Sequence, residues 1–427
     1  MYDLAIIGAG WAGFNAALKA KELRLKVCLI ESDKIGGTCL NRGCIPTKTL
    51  IASAKAFLLT KKSSVFGIEL KNPRFNFVKI QARKNIIINQ LTQAMQSRIS
   101  GIDFIKSSAL IRSPNEIKID ARLISTKSIL MATGSSPSQL PQLKFDREKI
   151  ISSDQALELS EIPSSLLIVG GGVIGCEFAS LFSILGSQVT IAEKMTNLLP
   201  GEDKDVARKI EIIFKKRGIQ VITGADVNVP DMKNYSRVLV CVGRTPNTAG
   251  LGLEGLGIKL DKNRIAVDDY LKTNLANIYA AGDCASKLML AHYAAYQGKV
   301  AVENIVSNNT QRADNLVVPA CIFTEPQISS VGLNEENAVS LGISVEIHKF
   351  DFRASGAAWI IDETEGFIKI VTNRQTQEVI GASIIGPSAS ELIAILAMAI
   401  SVHLTAHQIR EIIFAHPTLA ESIHDVF

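Results

Sequence analysis

Asp3-Leu4-Ala5-Ile6-Ile7-Gly8-Ala9-Gly10-Trp11-Ala12-Gly13 is the stretch that decides the fold. A short apolar run reaches Ile7, and three glycines at Gly8, Gly10 and Gly13 then open a helix that the pattern carries through Leu23. A second strand follows at Leu25 to Ile30 and ends at Glu31. The first glycine suits a tight turn, the second lets the backbone approach a pyrophosphate, and the third lets helix and strand pack closely. The helix N-terminus favours phosphate charge, and the acid accepts from ribose hydroxyls.

The same unit recurs. Leu166-Leu167-Ile168-Val169 leads into Gly170, Gly172 and Gly175, then a helix through Leu185, then Gln188 to Ala192 and Glu193. Glu31 stands 23 positions after Gly8, and Glu193 stands 23 after Gly170. One glycine triplet is weak evidence. Two copies in strand–turn–helix context, with equally spaced acids, predict two Rossmann-like dinucleotide-binding domains in an α/β protein. Between the copies, Ile129 to Ser135 is an apolar strand running into a small-residue turn that contains Thr133 and Gly134, and Val238 to Asn247 repeats that pattern around Gly243. Asn277 to Asp283 is a further strand ending in an acid, and a helix is expected from Leu290 to about Val306. Beyond the turn at 307–310 the style changes. Alternating runs at Gly366 to Val371 and Val379 to Ile385, followed by two helices, predict a C-terminal α+β portion.

Composition sets bounds. The chain has 427 residues, 47% hydrophobic and 20% charged, with a net charge of +5. That length suits two to four domains. No run of five or more like charges occurs, so nucleic-acid binding and membrane-surface binding are not expected. Ser164 to Gly186 is broken by glycines and Glu177, and Leu392 to Val402 is too short for a span, so no membrane segment is expected. Strand pattern begins within a few residues of Met1, so no secretory or organellar presequence is expected, and the setting reads as cytoplasmic.

There are seven cysteines. Cys28, Cys176, Cys241, Cys284 and Cys321 are scattered singly and read as small buried hydrophobes. Cys39 and Cys44 differ, because they lie close together in Gly36-Gly37-Thr38-Cys39-Leu40-Asn41-Arg42-Gly43-Cys44-Ile45-Pro46-Thr47-Lys48, directly after the first dinucleotide unit. No second close pair completes a zinc site, so no metal is expected there. Pro46 belongs in a first helical turn or at a kink, which leaves Cys44 near free backbone N–H groups that favour a thiolate. A thiol pair beside a bound redox cofactor can carry two electrons as a disulfide. His403 and His407 are spaced for a metal, but Thr405 between them is a good N-cap for a helix over Ala406 to Ile413, so the two do not share a helix. His416 precedes Pro417 and a Thr418-Leu419-Ala420-Glu421 capping-box pattern, which a helix start alone would explain apart from the histidine.

The Cys39–Lys48 segment, Gly170 to Glu177, Ala281-Gly282-Asp283 and His416 to Glu421 stand in one order along nearly the whole chain. In these motifs the chain resembles the flavin-dependent pyridine nucleotide-disulfide oxidoreductases, and within them the dihydrolipoyl dehydrogenase branch. The resemblance implies FAD on the first unit, with Gly8, Gly10, Gly13, Glu31, Thr133, Gly134 and Asp283, and NAD on the second, with Gly170, Gly172, Gly175, Glu193 and Gly243. Glu193 itself argues for NAD, since a 2′-phosphate would meet its charge and no arginine follows closely. By resemblance, Cys39 exchanges with the dithiol substrate and Cys44 faces the flavin. Lys48 and Glu177 form an ion pair beside the flavin ring. The resemblance also implies that His416 is the base that deprotonates the dithiol, that Glu421 is its partner, and that both enter from the other subunit of a homodimer with shared active sites. The implied reaction is oxidation of protein-bound dihydrolipoyl groups by NAD, on lipoyl domains of a 2-oxoacid dehydrogenase complex or the glycine cleavage system.

Domain limits are expected at 1–144 for FAD, 145–267 for NAD, 268–314 for a central segment completing the FAD site, and 315–427 for the dimerisation domain. Related disulfide reductases fit less well. The chain ends at Ile423-His424-Asp425-Val426-Phe427 without paired tail cysteines, which disfavours mercuric and high-molecular-weight thioredoxin reductases. A glutathione reductase would want basic residues after the second strand of the NAD unit. A catalytically weak FAD-binding paralogue is the remaining alternative. Departures from the family pattern are short segments at 103–128 and 224–238, Gln297 in place of a common glutamate, and Trp11 in a turn where smaller residues are usual.

Overall fold

The computed structural model describes residues 1–225, 231–313 and 317–427. The expected boundary at 314/315 and part of the short 224–238 segment lie outside the described residues. The chain forms two compact units. One comprises Met1–Thr49, Lys79–Ser138 and Gly243–Asn315, and the other Leu50–Val78, Gln139–Val242 and Leu316–Phe427.

In the first unit, strand Tyr2–Ile7 pairs in parallel with Val27–Glu31 on one side and with the end of Arg122–Met131 on the other. Asp103–Lys106 extends the sheet beyond Val27–Glu31, and Ile278–Ala280 extends it beyond Arg122–Met131, both in parallel. This is the doubly wound order the repeat predicts. The strands are apolar almost throughout because both faces are covered. Leu4, Ile6, Leu29 and Leu130 pack on one face with residues of helices Trp11–Glu22 and Ala291–Ser307. Ala5, Ile7, Cys28, Ile129 and Met131 pack on the opposite face. The early part of Arg122–Met131 turns antiparallel with Glu116–Ile119, which pairs with Leu110–Ser113. The segment read as trimmed therefore still forms three short strands.

In the second unit, a wholly parallel sheet runs Gln220–Ile222, Gln188–Ala192, Ser165–Val169, Arg237–Val240, Ile150–Ile151. Helix Val173–Ile184 follows its central strand, as Trp11–Glu22 does in the first unit. The same unit holds an antiparallel sheet ordered Ala320–Ile322, Gln327–Gly332, Val379–Gly386, Phe367–Asn373, Val345–Asp351. Helix Ala389–Ser401 buries Leu392, Ile393 and Leu396 in the core beside this sheet. This is the α+β portion expected from the change of periodicity.

A buried ion cluster ties the two parts of this unit. Lys369, in mid-strand, reaches Asp203 at 2.8 Å, Glu335 at 2.9 Å and Asp205 at 3.2 Å. Asp203 also caps helix Lys204–Lys216 by accepting from the Asp205 and Val206 amides. Sequence patterning could not reveal it, because the partners lie more than 30 residues from Lys369.

Three local expectations need correction. Cys28, Cys176 and Cys284 are buried, but Cys241 and Cys321 are only half-buried. The helix capped by Thr405 ends at Arg410 and does not continue to Ile413. Pro417 does not sit in a helical turn: the helix there is Glu421–His424, although Thr418 and Glu421 do make the reciprocal capping hydrogen bonds. His403 has a left-handed backbone outside the Ala406–Arg410 helix, so it and His407 do not share a helix face. Among the described residues no helix is long and apolar enough to cross a membrane.

Candidate active site

Each glycine-rich turn divides its three glycines between two tasks. A β-carbon on Gly8 would lie 2.2 Å from the Ala132 carbonyl oxygen, and one on Gly170 would lie 2.4 Å from that of Cys241. At Gly13 and Gly175 it would strike the carbonyls of Gly8 and Gly170 at 1.8 and 2.0 Å. These four glycines are required by the fold itself. The middle ones are not. A β-carbon on Gly172 would meet nothing within 4 Å, and one on Gly10 only the Gly37 Cα at 3.9 Å. The protein leaves space there that a phosphate group fits.

The helix starts agree. Gly10 and Gly172 cap their helices without any side-chain hydrogen bond, and neither first turn carries an acid. Elsewhere Ser152, Asp203, Asn334 and Thr405 do cap their helices with side chains. The first-turn amides of the two glycine-started helices are thus left for an anion.

The two acids are placed alike. Glu31 Oε2 accepts from the Ala9 amide at 2.7 Å and Oε1 from the Asp33 amide at 2.8 Å. Glu193 Oε2 accepts from the Gly171 amide at 2.6 Å and Oε1 from the Met195 amide at 2.7 Å. Both carboxylates are buried. Each fixes its loop while standing at the end of the second strand, where an adenosine ribose lies in dinucleotide folds.

Asp283 lies in a short turn after strand Ile278–Ala280 and accepts from the Ser135 hydroxyl at 2.5 Å. Arg244 donates to that same hydroxyl at 2.8 Å and to the Ser135 carbonyl at 2.7 Å. Asn247 accepts from the Thr133 hydroxyl through its carbonyl at 2.6 Å and donates to the Gly134 carbonyl through its amide at 2.9 Å. Gly243 accepts from the Ser138 amide at 3.0 Å. The Thr133–Gly134 turn is thereby latched to the Gly243–Asn247 segment, whose strand Arg244–Pro246 pairs with Ser135–Pro137. Sequence reading noted the repeated pattern but missed Ser135, Arg244 and Asn247 as a unit. Gln297 is buried and accepts from the Gly282 amide at 3.0 Å, which an uncharged side chain does as well as a glutamate.

Cys39 lies in helix Gly37–Arg42, and Cys44 is the first residue of helix Cys44–Lys61, with Pro46 in its first turn. The thiols hydrogen-bond to each other, and this contact, followed by burial, holds Cys39 well above the ordinary thiol range. Trp11 and Lys48 act on Cys39 in the opposite direction. In a hydrogen-bonded dithiol one sulfur keeps the proton and the other carries charge more readily. Cys44, at a helix N-terminus, is the sulfur suited to the charge. Lys48 lies one turn further along the same helix.

In the second unit, Glu177 is buried within helix Val173–Ile184 and accepts from the Phe323 amide at 2.9 Å. His416 Nδ1 and Glu421 Oε2 lie 2.8 Å apart. The histidine side chain is 80% exposed and that of the glutamate 19%. The hydrogen bond from His416 holds the Glu421 carboxyl below the usual carboxylate range.

Residues 2–298 match the pyridine nucleotide-disulphide oxidoreductase family, and residues 318–427 match its dimerisation domain. The chain belongs to the pyridine nucleotide-disulphide oxidoreductase family. Family relatives include a dihydrolipoyl dehydrogenase of Bacillus subtilis (strain 168), 36% identical with 99% of this chain and 96% of the relative covered. Another, from Chlamydia pneumoniae, is 38% identical with 98% and 95% covered. Among solved structures, LpdA from Mycobacterium tuberculosis superposes with a TM-score of 0.92 at 29% identity, covering 99% of this chain and 98% of that one. The Cu(II) complex of the HOCl-induced flavoprotein disulfide reductase RclA from Escherichia coli gives a TM-score of 0.90 at 30% identity, with 99% of each chain covered. Like the family, this chain carries two dinucleotide folds and a dimerisation domain.

Proposed function

We propose that the protein oxidises protein-bound dihydrolipoyl groups with reduction of NAD, through a disulfide that forms and opens between Cys39 and Cys44. The observation that carries the reading is the hydrogen-bonded Cys39–Cys44 pair, with Cys44 at a helix N-terminus directly after a dinucleotide fold. The substrate class follows from the curated relatives named dihydrolipoyl dehydrogenase.

FAD is assigned to the first unit, with Gly8, Gly10, Gly13, Glu31, Lys48, Thr133, Gly134 and Asp283 around it. NAD is assigned to the second glycine-rich fold, with Gly170, Gly172, Gly175, Glu193 and Gly243. The space at Gly10 and Gly172 and the uncapped helix starts fit a pyrophosphate in each place. Bound FAD supplies the electron path from the sulfur pair to NAD. By this reading residues 1–144 and 268–314 build the FAD site, 145–267 the NAD site and 315–427 the dimer contact. The active form is a homodimer, in the cytoplasm, serving lipoyl domains of a 2-oxoacid dehydrogenase complex or the glycine cleavage system.

The residues then divide the work. His416, entering the site from the partner subunit, takes a proton from the substrate dithiol through Nε2, because Nδ1 is engaged by Glu421. The substrate thiolate attacks Cys39, the Cys39–Cys44 bond breaks, and Cys44 leaves as a thiolate. The second substrate sulfur displaces Cys39 and closes the lipoyl disulfide. Two electrons and one proton have then passed to the cysteine pair, and the other proton is held at His416. By the same reading Lys48 pairs with Glu177 beside the flavin and gives that buried carboxylate its counter-charge.

Steady-state turnover of dihydrolipoamide with NAD tests the reading, alongside NADH- or NADPH-driven reduction of other disulfides, the activity class that the RclA likeness suggests. Cys44→Ser abolishes dihydrolipoamide turnover while FAD stays bound. Normal turnover in that variant, or faster reduction of an unrelated disulfide by wild type, rules the proposal out.

A further inference from the structure

Trp11 is the first residue of helix Trp11–Glu22, immediately after Gly10. Gly10 lies against Gly37, where a β-carbon would come within 2.8 Å of the Gly10 Cα. This close approach brings the start of the first helix beside the turn that carries Thr38 and Cys39. The indole Nε1 of Trp11 is fully buried and makes no hydrogen bond of ordinary geometry among the described residues. A buried N–H donor left unmatched costs free energy, so its position needs a reason.

We propose that Trp11 is a positioning residue for the exchange thiol, its buried indole N–H facing Cys39 sulfur and stabilising that sulfur when it carries negative charge. The proposal rests on the reading of Cys39 and Cys44 as the redox pair. Three influences oppose charge on Cys39, the hydrogen bond to Cys44, burial and charge on Cys44, and the indole of Trp11 is the strongest influence favouring it, ahead of Lys48. Cys39 needs that help at one moment. When the second substrate thiol attacks the substrate sulfur of the mixed disulfide, the bond to Cys39 breaks, the electron pair leaves on Cys39, and the proton of the attacking thiol follows to the cysteine pair. A leaving thiolate departs faster when its charge is stabilised. Among the described residues no other acceptor competes for the N–H, so it is available to Cys39 when that sulfur carries charge.

Iodoacetamide labelling of Cys39 across pH tests this, read by peptide mass spectrometry before and after reduction by NADH. In wild type, Cys39 labels only after reduction; equal labelling in both states would sink the redox reading itself. In Trp11→Phe, which keeps the ring and loses the N–H, Cys39 labelling moves to higher pH. The labelling rate near pH 8 drops by about three- to tenfold, the larger figure corresponding to one pKa unit. FAD absorbance and ferricyanide reduction by NADH, which bypasses the thiols, stay at the wild-type level. A Trp11→Phe labelling profile that overlays wild type overturns the proposal. If that variant loses FAD, the indole of Trp11 is observed directly in Trp359→Phe, which leaves a single tryptophan. Its 15N-indole resonance then titrates in the reduced protein with the midpoint of Cys39 labelling, and a resonance indifferent to reduction and pH overturns the proposal.

Discussion

His416 and Glu421 hold each other at 2.8 Å, and the second carboxylate oxygen of Glu421 accepts from the Thr418 amide at 3.2 Å. The glutamate is therefore anchored to backbone as well as to the ring, and the ring orientation follows from the reciprocal hydrogen bonds between Thr418 and Glu421. Glu421→Gln keeps the Thr418 contact but loses the charge and the fixed acceptor for Nδ1. Turnover of dihydrolipoamide drops by about 10- to 100-fold, the usual cost of losing an orienting partner. His416→Gln removes the proposed base and costs about 10²- to 10⁴-fold. Both leave NADH oxidation by ferricyanide intact. Equal activity of Glu421→Gln and wild type would show that the pair is only a helix cap.

The division of labour among the glycines separates folding from binding. Gly8→Ala forces a side chain into φ +104° and against the Ala132 carbonyl. It destabilises the protein by about 1–3 kcal/mol or more. Gly172→Ala has open space and an ordinary backbone conformation, φ −75°. Its melting temperature stays near wild type, with a cost of at most about 1 kcal/mol, while KM for NAD rises. A Gly172→Ala variant with unchanged KM would show that the space is not used by the nucleotide.

Lys369 and Asp203 are both buried, with side-chain exposures of 5% and 1%. Lys369→Ala leaves Asp203 inside the protein without its principal counter-charge. Breaking a buried pair in this way costs about 3–5 kcal/mol. The urea midpoint of the second unit is the measurement, and a loss below about 1 kcal/mol would mean that the cluster behaves like a surface ion pair.

Cys39 also sets a pH dependence that differs between redox states. An ordinary thiol ionises near 9.0, whereas the folded Cys39 thiol ionises higher, chiefly because of its hydrogen bond to Cys44 and then burial. The unfolded chain thus releases this proton first. The stabilising contribution is fully present below the unfolded value and is lost as pH rises through the folded one. In the oxidised protein Cys39 has no proton to lose, while Cys28, Cys176 and Cys241 act alike in both states. The melting temperature of the reduced form therefore falls relative to the oxidised form between about pH 8 and pH 10. Parallel curves over that interval would refute it.

Sequence alone determined the repeated strand–glycine turn–helix unit, its acids at Glu31 and Glu193, the close cysteine pair and the α+β change after the turn at 307–310. These features are local: periodicity, glycine spacing and near-neighbour thiols are properties of short stretches of chain. Pro417 lies outside the helix Glu421–His424: a capping-box pattern reports hydrogen bonds between four residues and not where a helix runs. Only the tertiary structure decided which glycines serve the fold and which leave space. It alone joined Ser135 to Asp283 and Arg244, and gathered Asp203, Asp205 and Glu335 around Lys369. Each of those depends on contacts between residues far apart in the chain, whose energies no local pattern records.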